Sequence, residues 1–230
     1  MGDSASLGAV IHLHGVVDHW VHLVGLHEAQ AMKDFLYDIW ARFLTYFGQI
    51  KVLTFNFLPV LAYDTEPFVV GGEDILHVME VIRPGDVLIR GFNKYLDGRF
   101  IPDEKGYSHA GLYIGGKQVI HAAAPHVQLI HVIDFCEADR IMVLRPAADQ
   151  QVAISIAKSK LGVPYDFDYK RDVDKLYCFE LIANCYPNAH MVAHEIKRFF
   201  GLLRRKCYLA KSIYENNFFH KQFEKNEKKG

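Results

Sequence analysis

A series of short apolar runs separated by turn signals constrains the fold of this chain more than any other feature. Arg83-Pro84-Gly85-Asp86 is a turn signal, and Val87-Leu88-Ile89 after it reads as a strand. A polar loop from Asn93 to Tyr107 carries the turn dipeptides Asp97-Gly98 and Pro102-Asp103. Strand-like runs then come at Ser108–Ile114, Gln118–Ala123, Val127–Phe135 and Ile141–Leu144. Strands this short and this close leave no room for crossover helices, so an antiparallel meander is expected.

Helices are expected on both sides of the meander. Asp149–Leu161 reads as one, ending at Gly162-Val163-Pro164-Tyr165. A second starts near Cys178 and stops before Pro187, with Asp174 as its expected cap, and a third is expected over about Ala189–Leu203. The tail from Asn216 turns polar, and Lys221–Lys229 reads as a solvated, fraying end. Upstream, residues 31–47 place Phe35, Ile39, Trp40, Phe43 and Phe47 at helical spacing. Residues 50–63 are apolar and interrupted by Pro59. The expected organisation is an N-terminal, mainly helical extension over 1–80 and an α+β domain over 81–230, with an antiparallel sheet packed on helices. The extension's aromatic surface is expected to pack on the α+β domain, with a groove cover or a peripheral lipid contact as the open alternatives.

Half of the 230 residues are hydrophobic, enough for a sizeable core, and the net charge of −1 with no basic stripe argues against nucleic acid as a partner. Cys136, Cys178, Cys185 and Cys207 form no C-x-x-C pair and no disulfide framework. Free thiols, and a first basic residue only at Lys33, lead to an expected cytoplasmic location, with export independent of a signal peptide left open. His14, Asp18 and His22 fall along one face of a helix, read as its polar margin and not as a metal site. His190 and His194 are read as a helix-surface pair, and Asp166, Asp168, Asp172 and Asp174 as a solvated loop, because the spacing of a calcium loop is missing. No metal or other cofactor is expected.

Three residues carry the chemistry. Cys178, in the first turn of its helix, lies among backbone N–H groups with no intrahelical partner, where the helix dipole favours thiolate. His109 and His121 sit on neighbouring strands joined around Gly115-Gly116. A three-residue loop places Gly111 opposite His121 and His109 diagonal to it on the same face, whereas a loop of two or four residues separates the histidines. Gly111 offers that face no side chain, so the Cys178 helix is expected to approach there. Glu180, on the first turn, suits the dipole.

The order Gly85-Asp86, Ser108-His109-Ala110-Gly111, Val119-Ile120-His121-Ala122, Gly162-Val163-Pro164-Tyr165-Asp166 and Tyr177-Cys178-Phe179-Glu180-Leu181 resembles the circularly permuted, YiiX-like branch of the NlpC-type papain-like cysteine hydrolases. Lecithin:retinol acyltransferase is a more distant likeness with the same histidine-first order. The resemblance covers roughly residues 82–187. It implies a papain-like fold and a thiol-dependent amidase or peptidase, with Cys178 as nucleophile, His109 as base and His121 in the orienting position. Many relatives carry an acidic residue at that last position, and histidine is closer to the acyltransferase-like pattern. Tyr165 matches a tyrosine whose hydroxyl lies near the nucleophile and is a candidate to help hold an oxyanion. The implied substrate is a small amide such as a cell-wall peptide. A lipid-directed acyl transfer or thioester hydrolysis on the same fold, and an inactive binding module, are the alternatives.

Overall fold

The computed structural model describes residues 39, 50–55, 58–63, 68–93, 103–170, 174–198 and 203–226. The chain divides into two compact units, Met1–Leu44 and Thr45–Gly230. The expected 31–47 helix, apart from Ile39, and the His14/Asp18/His22 face lie outside the described residues. In the second unit, β1 (Ile50–Phe55) and β2 (Leu58–Tyr63) form an antiparallel pair in which Pro59 stands opposite Thr54. This apolar run is thus a hairpin and not part of a helical section; Val52, Thr54, Phe55, Val60 and Tyr63 are residues that suit an extended backbone. Helix α1 (Gly72–Val81) comes next, with Asp74 accepting the Gly71 N–H at its start.

The main sheet has six strands: β3 (Val87–Gly91), β4 (His109–Gly115), β5 (Gln118–Ala123), β6 (His126–His131), β7 (Arg140–Pro146) and β10 (Phe219–Lys225). Their spatial order is β10-β7-β3-β4-β5-β6, and every pair is antiparallel. The fold is therefore the α+β arrangement expected. Strand residues alternate between two cores. Val87, Ile89, Ala110, Leu112, Ile120, Ala122, Met142 and Leu144 pack with α3 (Gln150–Ser159) and α4 (Cys178–Cys185). Leu88, Tyr113, Val119, Ile141 and Val143 pack with α1 and the short helix α2 (Val132–Cys136). Both faces are covered, which is why the strands read as continuous apolar runs. In α4, Phe179, Leu181 and Ile182 are fully buried. Each contributes about 1.5–3 kcal/mol over an exposed side chain.

Asp86 joins the two layers. It is fully buried and takes a two-pronged contact from Arg145, Nε to Oδ1 at 3.0 Å and Nη2 to Oδ2 at 2.7 Å. It also accepts the Arg83 N–H at 2.8 Å, fixing the turn before β3. Removing one partner of such a pair strands the other charge. Arg145→Ala, which strands the fully buried Asp86 carboxylate, is expected to lower stability by about 3–5 kcal/mol, read from the urea midpoint, with Asp86→Ala costing less because the guanidinium it strands is partly solvated.

The structure corrects further expectations. The segment after β6 turns into α2 instead of continuing as strand to Phe135. The described residues of Ala189–Leu203 are not helical: a 3-10 turn (Pro187–Ala189) leads to β8 (His194–Arg198), which pairs with β9 (Leu203–Cys207). His194 thus lies in a strand, while His190 adopts a left-handed conformation at φ 46°, so the two do not share a helix face. The tail beyond the short helix α5 (Lys211–Tyr214) is no fraying end through Lys225, because β10 forms an edge of the main sheet against β7. Its mixed polar sequence reflects an edge strand that is only partly covered. Finally, Asp166 is buried and not solvated, accepting the N–H groups of Asp168 at 2.8 Å and Lys170 at 2.6 Å.

Candidate active site

The site forms where β4 leaves β5. Pairing of the two strands runs from Gly115↔Gln118 to Gly111↔His121, and His109 lies beyond it. The register around the histidines is the expected one, although the loop is not. The turn has two residues, Gly116 and Lys117, both with positive φ, and the Cα pairing shifts between Tyr113 and Gly115. A two-residue loop alone would have put the histidines on opposite faces. Ile114 is the extra residue of a bulge, and it restores the phase. Nε2 of His109 consequently meets Nδ1 of His121 at 2.8 Å.

Cys178 is the first residue of α4, with Tyr177 and not Asp174 as the residue before the helix. Tyr177 is held in turn by its hydroxyl, which accepts the Tyr208 N–H at 2.7 Å. The helix does not approach over Gly111 as expected. A Cβ at Gly111 would lie 2.5 Å from Val119 Cγ1 and 2.9 Å from Phe135 Cε2, so that space belongs to Phe135. Helix α4 packs with Ala110, Leu112 and Ala122 on the other face, and its thiol reaches the edge of β4. There Sγ lies 4.0 Å from the Ser108 carbonyl oxygen and accepts from the Ala110 N–H. The backbone on either side of His109 therefore touches the thiol. Among the described residues no hydrogen bond joins Sγ to an imidazole nitrogen. Nδ1 of His109 is the ring nitrogen not engaged with His121.

Burial dominates the electrostatics. It pushes the Cys178 thiol up to about 12, against the N–H groups of Ala110, Phe179 and Cys178 itself and against the Arg90 guanidinium, all of which favour thiolate. The helix start thus acts in the expected direction but does not prevail. Burial, then Arg90 and then His121, hold His109 well below the ordinary histidine range. Burial and Arg90 bring His121 down to about 3. Burial thus favours the neutral form of the thiol and of both imidazoles.

His121 is only 2% exposed, and its Nε2 has no partner among the described residues. Unfolding would free it to bind a proton below about pH 6.5, while the folded state refuses that proton until about pH 3. In this window the unfolded state holds more protons, so stability falls as pH falls. The urea midpoint is expected to decline from about pH 6.5 downward, and His121→Asn is expected to flatten the decline.

The Tyr165 ring packs edge-on against Phe167 at 4.9 Å, and its backbone bridges to Leu176, just before the α4 start. Glu180 is buried on the first turn. Cys136, Cys185 and Cys207 are buried, as packing residues are. Among the described residues no cluster of three or more metal-ligating side chains occurs. Two neighbours of the histidines escaped sequence reading. Phe135 packs on both rings, at 5.7 Å from His109 and 5.8 Å from His121, and Arg90 is the Cα partner of His109 on β3. The signals were a Gly opposite a buried histidine, which leaves a space to be filled, and a cation closing the apolar run Val87–Ile89.

Comparison with known proteins agrees with this architecture. Protein OPG091 of Variola virus is 26% identical over 126 residues, covering 51% of this chain and 72% of the viral one. Protein OPG091 of Vaccinia virus, strain Western Reserve, is 25% identical over the same shares. The crystal structure of metalloprotein yiiX from Escherichia coli O157:H7 superposes with a TM-score of 0.52 at 18% identity, covering 64% of this chain and 99% of that one, a likeness of fold. Residues 81–213 match the family described as permuted papain-like amidase enzyme, YaeF/YiiX, C92. That match takes in more than half of the chain, both histidine strands and the cysteine helix, and so the chain belongs to the C92 family of permuted papain-like amidases.

Proposed function

We propose that this protein is a thiol-dependent amidase or peptidase working through a Cys178 thioester. The observation that carries the reading is the placement of the Cys178 thiol against the backbone flanking His109, whose ring is held by His121 at 2.8 Å. For His109 to take the thiol proton at Nδ1, its own proton must sit on Nε2 and point at Nδ1 of His121. The proton of His121 then sits on Nε2. His121 thereby orients His109 as the third member of a triad orients its base.

Neither group is ionised at rest, so proton transfer accompanies attack. As Sγ bonds to the substrate carbonyl carbon, His109 receives the thiol proton and the carbonyl oxygen gains negative charge. The N–H groups at the start of α4 are the candidate donors to that oxygen. Collapse of the tetrahedral intermediate breaks the C–N bond, and His109 returns the proton to the leaving amine. Water then attacks the thioester with His109 as base, releasing the acid and restoring the thiol. The substrate class favoured is a small amide such as a peptide.

A second reading rests on the histidine at the orienting position, the acyltransferase-like pattern. It replaces water by another acceptor and the amide by a lipid ester. Both readings share the acyl-enzyme. Intact-mass measurement after brief mixing with activated amide and lipid-ester substrates is expected to show one acyl group on Cys178, removed by hydroxylamine. Products identified by mass then separate amide cleavage from lipid acyl transfer. Turnover without any adduct on Cys178, under conditions that trap thioesters, would rule out both.

A further inference from the structure

One aromatic ring touches both histidines and the cation beside them. Phe135 is fully buried, tilted against His109 and edge-on to His121. The Arg90 guanidinium lies over the same ring, 4.6 Å from its centroid. Arg90 is anchored to the same short helix, since Nη1 donates to the carbonyl oxygens of Asp134 at 3.2 Å and Phe135 at 3.1 Å. It also lies over Phe92 at 5.1 Å. On the strand side Gly111 gives Phe135 room, as a side chain there would meet the ring. The elements β3, β4, β5 and α2 thus converge on one stack of guanidinium, phenyl and two imidazoles.

From this arrangement we infer that Arg90 and Phe135 are positioning residues for the histidine pair: the guanidinium–phenyl stack, seated on Gly111, keeps both imidazoles in register and in one orientation. The inference rests on the hydrolase reading for its consequence, not for its geometry. With no partner for Nε2 among the described residues, only the Nδ1 contact to His109 fixes the His121 ring by hydrogen bonding, and packing must supply the rest. Phe135 blocks rotation of His121 away from His109, and Arg90 pins Phe135. Arg90 has a second effect, because a fixed cation next to the pair disfavours imidazolium and favours thiolate. The charged and titratable groups around the pair are Arg90 on β3, the two histidines on each other, Cys178 on α4 and the Arg90-influenced Cys136 thiol on α2.

The test is histidine-ring NMR on the full chain, free of substrate, with Arg90→Gln, Arg90→Lys and Phe135→Leu, alongside a near-ultraviolet circular dichroism check of fold. In the unsubstituted protein the shared N–H is expected as a downfield, slowly exchanging signal, with both rings neutral at pH 5. Phe135→Leu is expected to lose that signal and to lower kcat with KM unchanged. Arg90→Gln is expected to raise the ring titration by about one pH unit or more. Arg90→Lys keeps the charge but not the flat stack on Phe135, so it should hold the titration and weaken the signal. An unchanged ring spectrum in a folded Phe135→Leu or Arg90→Lys protein overturns the inference, as does an unchanged titration in a folded Arg90→Gln protein. Absence of turnover in the unsubstituted protein would overturn the hydrolase reading alone, because the ring signals need no substrate.

Discussion

Cys178→Ala is expected to reduce amide turnover by on the order of 10⁴-fold or more, the scale seen when a triad loses its nucleophile. It is expected to leave the fold in place. The thiol is fully inside the core, yet it is a small group at a helix start, and its removal uncovers no charge. The loss in stability should be about 1 kcal/mol, the ordinary value for a small buried change. What the alanine does remove is the acceptor for the N–H groups of Ala110 and Phe179. Cys178→Ser restores an acceptor without restoring a comparable nucleophile, so it should regain stability but not rate. Kinetics with a chromogenic amide and urea melts of the same three proteins decide the matter. Activity retained in folded Cys178→Ala would mean that the chemistry lies elsewhere.

The sheet was legible because both of its faces are buried. Val87-Leu88-Ile89 and Val119-Ile120 read as uninterrupted apolar runs, while Gly115-Gly116 and Pro84-Gly85 marked the turns. The histidine pairing was legible from the period of two, but for a reason only partly right. A bulge at Ile114 did what a longer loop was expected to do, and nothing in the order Tyr113-Ile114-Gly115-Gly116-Lys117 separates the two solutions. The β8–β9 region reads as helix in sequence because Ile196, Phe199, Phe200 and Leu203 repeat at three- and four-residue spacing. Tertiary burial overrode that pattern: Ile196 and Cys207, from the two strands, enter the same core as α4. The cysteine helix was placed correctly, yet its cap was assigned to Asp174 on residue preference, whereas the chain turns in at Tyr177, a residue fixed by its hydroxyl to Tyr208.

The electrostatic state of the site was the least legible part. Local reasoning has one sign for a cysteine at a helix start, which is toward thiolate. Whether that wins depends on how much water the final packing removes, and this involves α4, β4 and β5 together. Here burial outweighs three N–H groups and a guanidinium. The same burial keeps the histidines neutral, so cysteine and histidine are shifted in directions that oppose a resting ion pair. On the proposed hydrolase reading, such a site would draw its reactivity from concerted proton transfer and not from a standing population of thiolate.

That distinction sets the second large effect. His109→Ala is expected to lower kcat/KM by about 10²–10⁴-fold at neutral pH, the usual contribution of a positioned base. If the thiol is neutral at rest, the lost rate should return gradually as pH rises toward about 12, because hydroxide then does what His109 did. Added imidazole should recover part of the rate in His109→Ala, since the space left is the size of the missing ring, and none in Cys178→Ala. In the unsubstituted protein activity should persist well into the acid range, because protonating His109 is opposed by burial, by Arg90 and by His121. A standing thiolate would behave otherwise. Alkylation of Cys178 by iodoacetamide would then be fast and flat from acid pH upward, and His109→Ala would abolish that plateau. Measured against pH in both proteins, alkylation rising only at alkaline pH fits the buried neutral thiol, and an early plateau would replace concerted transfer by an ion pair formed before substrate arrives.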